Sequence, residues 1–151
     1  MARKKQFVVI GLGRFGETVA GELMRLGHEV LGIDTDERRT RAMADRLTRA
    51  VTGNASDEKV LEELNIKQFD AAVVAIGSNL EGSILVTLAL KQIGVRLVWV
   101  KALNDAHHRI VQKLGADLLK SNVDRRNRTD NRLPQWMQRW MPSNNNKRRT
   151  K

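Results

Sequence analysis

The sequence lacks cysteine altogether in its 151 residues. This absence excludes disulfides, thiolate zinc sites and a cysteine nucleophile. No stretch approaches the ~20 uninterrupted apolar residues that a membrane-spanning helix needs. The charged start, Met1-Ala2-Arg3-Lys4-Lys5, precedes an apolar run that is too short for the hydrophobic region of a secretory signal. These features fit a cytosolic protein.

Net positive charge is small in most of the chain and concentrated at its end. Residues 1–119 hold 17 basic and 15 acidic side chains, a net charge of +2, whereas residues 120–151 hold 10 and 2, a net charge of +8. The overall charge of +10 therefore belongs mainly to the tail. It does not by itself indicate that the body binds nucleic acid.

Short apolar runs alternate with amphipathic stretches through the body of the chain. Unbroken apolar strands separated by helices are typical of a parallel sheet covered on both faces. We therefore predict a Rossmann-like, doubly wound α/β domain over residues 1–120, with helices on both faces of a sheet in the order 3-2-1-4-5-6. The predicted strands are Phe7–Ile10, Glu29–Ile33, Arg49–Thr52, Ala71–Ile76, Leu97–Val100 and Leu118–Leu119; the predicted helices are Glu17–Leu26, 37–47, Asp57–Leu64, Leu80–Ile93 and Ala106–Leu114.

Local signals mark the ends of these helices. Three of them end in an apolar residue followed by glycine, at Gly27, Gly94 and Gly115. Asp36 and Ser56 are the predicted caps of the second and third helices.

The character of the chain changes after Lys120. Residues 121–151 are predicted to be an irregular basic linker and tail, with a short helix possible at 134–141. Trp136, Met137, Trp140 and Met141 would lie close together in that helix, where they could contact a partner subunit or a membrane surface. A tail without any selected role is the alternative.

The central motif is a glycine-rich turn between the first strand and the first helix. It reads Gly11-Leu12-Gly13-Arg14-Phe15-Gly16. The pattern is weak alone, but a strand before it and a helix after it are the context that dinucleotide-binding turns require. Gly11 allows the tight turn, Gly13 lets the backbone approach a pyrophosphate, and Gly16 allows the helix to pack closely on the sheet. The helix N-terminus then faces the phosphates.

An acidic residue ends the second strand. Asp34 lies 18 positions past Gly16, where a carboxylate can accept hydrogen bonds from both ribose hydroxyls. The same carboxylate would repel a 2′-phosphate, which disfavours NADP although Arg38 and Arg39 are near. Thr35 follows directly and belongs to the same predicted site, as does Phe15 on the helix side.

Further polar residues follow the remaining strands. Arg14 could pair with the terminal phosphates of ATP, or it could be a solvated side chain. Asn54 and Ala55 follow the third strand, beside the expected adenine edge. Gly77 follows the fourth strand at the topological switch point. Lys101 ends the fifth strand, where it could reach phosphate, pair with Glu81 or lie in solvent.

These residues together resemble the N-terminal lobe of a potassium-conductance regulator, the RCK or TrkA-N domain. The resemblance rests on the glycine motif, on the segment from Gly27 to Asp34, on the segments around Asp70 and Gly77, and on Lys101-Ala102 with Gly115-Ala116-Asp117. It is greatest to the cytosolic regulatory subunits of Ktr/Trk bacterial potassium uptake systems, and it covers most of residues 6–120.

The resemblance implies a nucleotide sensor at the inner face of the cell membrane. Such subunits dimerise, assemble beneath a membrane potassium transporter, and respond to ATP against ADP or to NADH against NAD. By the same resemblance, Gly11, Gly13 and Gly16 hold phosphates and Arg14 senses the terminal phosphate. Asp34 holds the ribose, and Lys101 lies near the phosphates.

Two departures from the family pattern stand out. Asn54 replaces the usual aspartate of a Gly-Asp-Ala segment. The Pro-Glu segment and second lobe that follow Gly-Ala-Asp in the family have no counterpart after Lys120, so the metal-binding glutamate is missing too. A truncation, a frameshift and a natural single-lobe variant all fit this ending.

Two other function classes are alternatives to a sensor. An NAD-dependent oxidoreductase needs a substrate domain and a proton-transfer residue. The chain leaves no space for that domain, and we expect His28 to be exposed and one of His107 and His108 to be a surface or interface residue. Nucleic-acid binding through the basic tail lacks a recognised reader motif. We therefore expect a sensor without catalytic or metal-ligating residues.

Overall fold

A single six-stranded parallel sheet organises the domain. The computed structural model describes residues 4–119, and the predicted tail at 121–151 with its helix at 134–141 lies outside the described residues. The strands are β1 (Gln6–Ile10), β2 (Glu29–Asp34), β3 (Arg49–Thr52), β4 (Ala71–Val74), β5 (Val98–Lys101) and β6 (Asp117–Leu119); the α-helices are α1 (Arg14–Arg25), α2 (Glu37–Met43), α3 (Glu58–Glu63), α4 (Leu80–Gln92) and α5 (Asp105–Lys113), and a 3-10 turn spans Ile66–Gln68.

The strand order confirms the doubly wound prediction. The sheet runs β3-β2-β1-β4-β5-β6, and every neighbouring pair is parallel. At its centre, Val8 of β1 lies opposite Leu31 of β2 on one side and Ala72 of β4 on the other. Because β2 and β4 flank β1, the chain leaves the centre in opposite directions in its two halves. This reversal opens a crevice at the carboxyl ends of β1 and β4.

Two apolar clusters cover the two faces of the sheet. Successive residues of a strand point to opposite faces. Phe7 and Val9 accordingly join the cluster that includes residues of α1 and α2, whereas Val8 and Ile10 join the one that includes residues of α3, α4 and α5. All four are at most 3% exposed. Burial on both faces explains why β1 is a continuous apolar run instead of an alternating one.

The three glycine helix ends form as predicted. Gly27, Gly94 and Gly115 follow the last residues of α1, α4 and α5, each with φ near +90°. After α1, the Gly27 amide donates to the Met24 carbonyl and the His28 amide to the Leu23 carbonyl, which is the Schellman arrangement. This geometry turns the chain back toward the sheet within two residues.

Two local predictions were wrong. Ser56 does not cap α3; the Asp57 side chain accepts the Lys59 amide instead, so the helix begins one residue later. Asp36 does cap α2, as predicted, but α2 ends at Met43 rather than near Leu47. Residues 44–47 turn back toward β3, and this turn buries Leu47.

The expected exposure of His28 was also wrong. Its side chain is 4% exposed, its ring packs edge-on against Phe7 at 5.3 Å, and its Nδ1 accepts the Lys5 amide at 3.1 Å. The Schellman turn directs the residue after Gly27 inward, which the sequence position alone does not reveal. Burial lowers the pKa of His28.

No helix within residues 4–119 is both long and apolar enough to cross a membrane.

Candidate functional site

A cleft of about 510 Å³ opens at the carboxyl ends of the strands. Its volume lies within the ~300–1,000 Å³ of typical small-molecule sites. Its walls come from the ends of β1 to β5 and from the first turns of α1 and α4. The lining residues are Ile10, Gly11, Gly13, Arg14, Phe15, Ile33, Asp34, Thr35, Arg39, Gly53, Asn54, Ala55, Ser56, Ala75, Ile76, Gly77, Ser78, Asn79, Gly82, Val86 and Lys101.

Two glycines of the central motif are required by the protein's own packing. Gly11 has φ +94°, and a Cβ there would lie 2.8 Å from the Ala75 carbonyl oxygen. A Cβ on Gly16 would overlap the Gly11 carbonyl oxygen. Both residues therefore hold the turn tightly between β1, β4 and α1, and any side chain would force the turn apart.

Gly13 differs from its two neighbours in the motif. It has φ −73° and ψ −165°, an extended conformation that any residue adopts. A Cβ there would meet only the Arg39 guanidinium, at an ordinary 3.6 Å. The protein's own packing therefore does not require glycine at this position, and its missing side chain leaves open the space in front of the turn.

The N-terminus of α1 faces this space without a side-chain cap. Gly13 is the N-cap residue and has no side chain to offer the first-turn amides. The other four α-helices within residues 4–119 each have a side chain that accepts a first-turn amide, supplied by Asp36, Asp57, Asn79 and Asn104. The first-turn amides and the positive end of the α1 dipole therefore remain available to an anion in the cleft.

Asp34 lies at the opposite wall, at the end of β2. Its side chain is only 7% exposed. Oδ2 accepts the Leu12 amide and Oδ1 accepts the Asp36 amide, both at 2.8 Å. One carboxylate thus joins the glycine turn to the start of α2. Each oxygen keeps a further lone pair for a ligand.

Arg39 covers the exposed side of Asp34. Its Nη1 lies 3.6 Å from Asp34 Oδ2, and its side chain is 54% exposed. The neighbouring Arg38 points away: its Nε lies 3.5 Å from Asp36 Oδ1, its side chain is 93% exposed, and it is absent from the cleft wall. Arg38 is also among the causes that hold the pKa of Asp36 below its usual value, the first being the hydrogen bond from the Arg38 amide.

Two cationic side chains, Arg14 and Lys101, form one end of the cleft together with the Phe15 ring. Arg14 is the first residue of α1 and is exposed at the mouth of the cleft. The Lys101 ammonium lies 4.9 Å above the centre of the Phe15 ring, which holds it beside the first turn of α1. Among a phosphate contact, a pair with Glu81 and a solvent position, this geometry favours an orientation of Lys101 toward the α1 end of the cleft.

The wall after β3 has a defined donor at its surface. Asn54 Oδ1 accepts both the Ser56 amide at 3.0 Å and the Ser56 hydroxyl at 2.6 Å. Because a backbone amide can only donate, these bonds assign Oδ1 and leave the Asn54 amide nitrogen as the group offered to a ligand. Ala55 beside it is 3% exposed and closes the floor of the cleft.

His107 lies behind the cleft in the core. It is 0% exposed, its Nδ1 accepts the Leu103 amide at 3.1 Å, and its Nε2 lies 3.0 Å from the Ser83 hydroxyl of α4. A surface or interface position therefore does not hold for His107; His108 is half-buried. Burial lowers the pKa of His107. The neutral ring joins the loop after β5 to the helix that follows β4.

The cleft brings together ten of the eleven residues predicted for the site. The exception is Gly16, which lies beneath the turn and not on the wall. Four polar wall residues, Arg39, Ser56, Ser78 and Asn79, were not among those predicted. The sequence does not point to Arg39 because the Asp34 carboxylate disfavours a 2′-phosphate, and it points to Ser56 as a helix cap instead of a ligand.

The sheet order, the glycine turn and the acidic residue at the end of β2 define a Rossmann-type nucleotide-binding fold. Within this class the chain belongs to the TrkA-N domain family, whose model matches residues 7–121. The chain is 48% identical over 115 residues to the Ktr system potassium uptake protein A of Bacillus subtilis (strain 168), a match that covers 76% of this chain and 52% of that protein. The chain thus spans about half the length of the curated relatives it matches.

Solved structures of low sequence identity share the fold. The NAD(P)-binding domain of an exopolyphosphatase-related protein from Archaeoglobus fulgidus has a TM-score of 0.69 at 23% identity, over 76% of this chain and 86% of that domain. The AMP-bound C-terminal domain of Shewanella denitrificans Kef has a TM-score of 0.67 at 19% identity, over 80% of this chain and 73% of that one.

Proposed function

We propose that this domain binds an adenine nucleotide in the cleft as a signal and that the chain is a regulatory subunit of a membrane potassium uptake system. The observation that carries the nucleotide part is the bare N-terminus of α1. It faces a cleft of suitable size behind a glycine turn whose middle glycine is not required by the protein's own packing. The potassium part rests on the relationship to Ktr proteins.

The phosphates would bind at the α1 end of the cleft. The uncapped amides of the first turn are hydrogen-bond donors oriented toward an anion. Arg14 and Lys101 add two positive charges at the same end. Arg14 is the group best placed to separate ATP from ADP, because an arginine pairs bidentately with a terminal phosphate oxygen pair.

The nucleoside would extend across the β2 and β3 ends. Asp34 would accept the ribose hydroxyls on its remaining lone pairs while keeping its two backbone bonds. Thr35 and Gly77 would contact the nucleotide from the loops after β2 and β4. The Asn54 amide nitrogen would offer a hydrogen bond to the base, next to Ala55.

Regulation requires that two nucleotides differ in their affinity for two arrangements of the protein. A nucleotide that bound both arrangements equally would switch nothing. We propose that the signal is ATP/ADP or NAD(H). The protein that changes between the two arrangements would be a homo-oligomer, either a dimer or a ring. Its partner would be a membrane potassium transporter subunit. The protein would act at the cytoplasmic face of the membrane, without catalysis of its own.

Nucleotide binding is tested by purifying the chain of 151 residues, identifying the nucleotide that copurifies, and titrating the stripped protein with ATP, ADP, NAD and NADH by calorimetry. We expect one site per chain for at least one of them. An empty purified protein that binds none of the four contradicts the proposal. Rapid hydride transfer to a small substrate would instead favour an oxidoreductase.

The potassium part needs its own assay. A Ktr-type membrane subunit in lipid nanodiscs is mixed with the chain in the presence of ATP or ADP, and the retained chain is measured. We expect retention that differs between the two nucleotides. Nucleotide binding without any retention would leave a nucleotide-binding domain but contradict the transporter partner.

A further inference from the structure

Arg39 is the one guanidinium of α2 that lines the cleft. Its Nη1 lies 3.6 Å from Asp34 Oδ2 and 3.6 Å from where a Cβ on Gly13 would lie. The guanidinium therefore lies between the carboxylate proposed for the ribose and the turn proposed for the phosphates. Within residues 4–119, this is the only ion pair in which the cation and the carboxylate both line the cleft.

Asp34 is less repulsive to an anion than its charge suggests. Two backbone amides donate to it at 2.8 Å, and the Arg39 guanidinium lies 3.6 Å from its Oδ2, so these groups offset much of its negative charge. Within residues 4–119, Arg39 is the only cationic side chain paired with Asp34, and it lines the cleft. A phosphate at the outer side of the ribose position would therefore meet the guanidinium as well as the carboxylate.

We infer that Arg39 is a specificity-determining residue that lets the nucleotide site accept a phosphate on the ribose 2′ position. This inference rests on the proposed nucleotide function and revises the expectation that Asp34 excludes such ligands. A guanidinium next to the residue that ends β2 is suited to a 2′-phosphate because it can donate two parallel hydrogen bonds to two phosphate oxygens.

Thr35 supports this subsite from the same loop. It is exposed, lines the cleft and lies one residue past Asp34. Its hydroxyl can donate to a phosphate oxygen. The ligand class is therefore a 2′-phosphorylated adenosine, bound in addition to unphosphorylated adenine nucleotides.

The test compares two ligands that differ only in the 2′-phosphate, 5′-AMP and adenosine 2′,5′-bisphosphate, with ATP as a reference for an intact site. Calorimetric titrations use the wild-type chain, Arg39→Ala, Arg39→Lys and Arg38→Ala. The last is a matched control, because Arg38 neighbours Arg39 on α2 but faces away from the cleft. Far-UV circular dichroism verifies that each variant folds.

In the wild type, the bisphosphate is expected to bind within about tenfold of 5′-AMP. Arg39→Ala should weaken binding of the bisphosphate by about tenfold or more, which is the loss expected for a charge-assisted hydrogen bond. The same change should weaken binding of 5′-AMP by less than about threefold. Arg39→Lys should restore part of the loss, and Arg38→Ala should change neither ligand.

This inference is overturned if Arg39→Ala leaves the ratio of the two affinities unchanged. It is also overturned if the wild-type protein binds ATP and 5′-AMP but not the bisphosphate. Either result leaves the proposed function in place. A protein that binds none of the three ligands overturns both.

Discussion

Replacing Gly13 with alanine separates folding from ligand binding more cleanly than any other change in the glycine turn. The backbone at Gly13 is extended, and a Cβ there meets only Arg39 at 3.6 Å. Glycine-to-alanine changes at compatible positions raise stability by about 0.4–1 kcal/mol, because they restrict the unfolded chain. Gly13 is also the N-cap of α1, where glycine is preferred to alanine, and this preference offsets the gain. The melting temperature of Gly13→Ala should therefore stay within about 2–4 °C of the wild-type value.

Nucleotide affinity should respond in the opposite direction. The added methyl group projects into the space in front of the α1 amides, so a phosphate can no longer approach them to hydrogen-bond distance. Losing one hydrogen bond to a charged group costs about 1.5–3 kcal/mol, which corresponds to a dissociation constant about 10- to 100-fold larger. Calorimetric titration with the nucleotide that binds the wild type measures this loss.

Gly21→Ala is the matched control in the same helix. A Cβ there would lie 3.4 Å from the end of the flexible Arg46 side chain, away from the cleft wall. Alanine is about 1 kcal/mol more favourable than glycine inside a helix, so this variant should melt higher and bind as the wild type does. A folded Gly13→Ala protein with wild-type affinity would refute the assignment of the phosphates to the α1 amides.

Three further outcomes are expected. Arg14→Ala should bring the ATP and ADP affinities closer together in calorimetry, and an unaltered ratio would remove Arg14 as the terminal-phosphate sensor. Asp34→Ala should weaken adenosine-nucleotide binding. It should also lower the urea midpoint, because the Leu12 amide loses its acceptor at a cost of about 1–3 kcal/mol in the free energy of unfolding. Unchanged binding in the folded variant would exclude Asp34 as the ribose ligand. His28 and His107 have folded-state pKa values below their unfolded value of about 6.5. Their contribution is therefore present above that pH and is lost on acidification. The free energy of unfolding should decrease as the pH falls below about 6.5, by at most ~1.4 kcal/mol per pH unit for each histidine, and the urea midpoint should decrease with it. Flat midpoints from pH 7 to pH 5 would contradict the buried, neutral state.

Periodicity and glycine placement were sufficient to predict the architecture from the sequence. The apolar run before Gly11, the helix-ending glycines and the alternation of strands with helices predicted the sheet order that the structure has. These features are local, because a buried parallel strand needs apolar residues on both faces and a helix end needs a residue that tolerates positive φ. Element boundaries were less accurate, since the cap of α3 depended on which of two adjacent side chains reached the amide.

The membership of the cleft also followed largely from the sequence, because residues at the carboxyl ends of neighbouring parallel strands must meet at one edge of the sheet. The positions of individual side chains did not follow from it. His28 is buried because the chain after Gly27 turns inward, and Arg39 rather than Arg38 faces Asp34 because of the rotation of α2 against β2.

The sequence by itself determined the fold class, the family and the order of the strands, since each depends on patterns within a few residues. Only the tertiary structure decided which glycines the packing requires, how far Asp34 is enclosed, and which arginine lies over it. Those properties depend on distances between segments far apart in the chain, such as the approach of Gly11 to Ala75, and no local pattern records them.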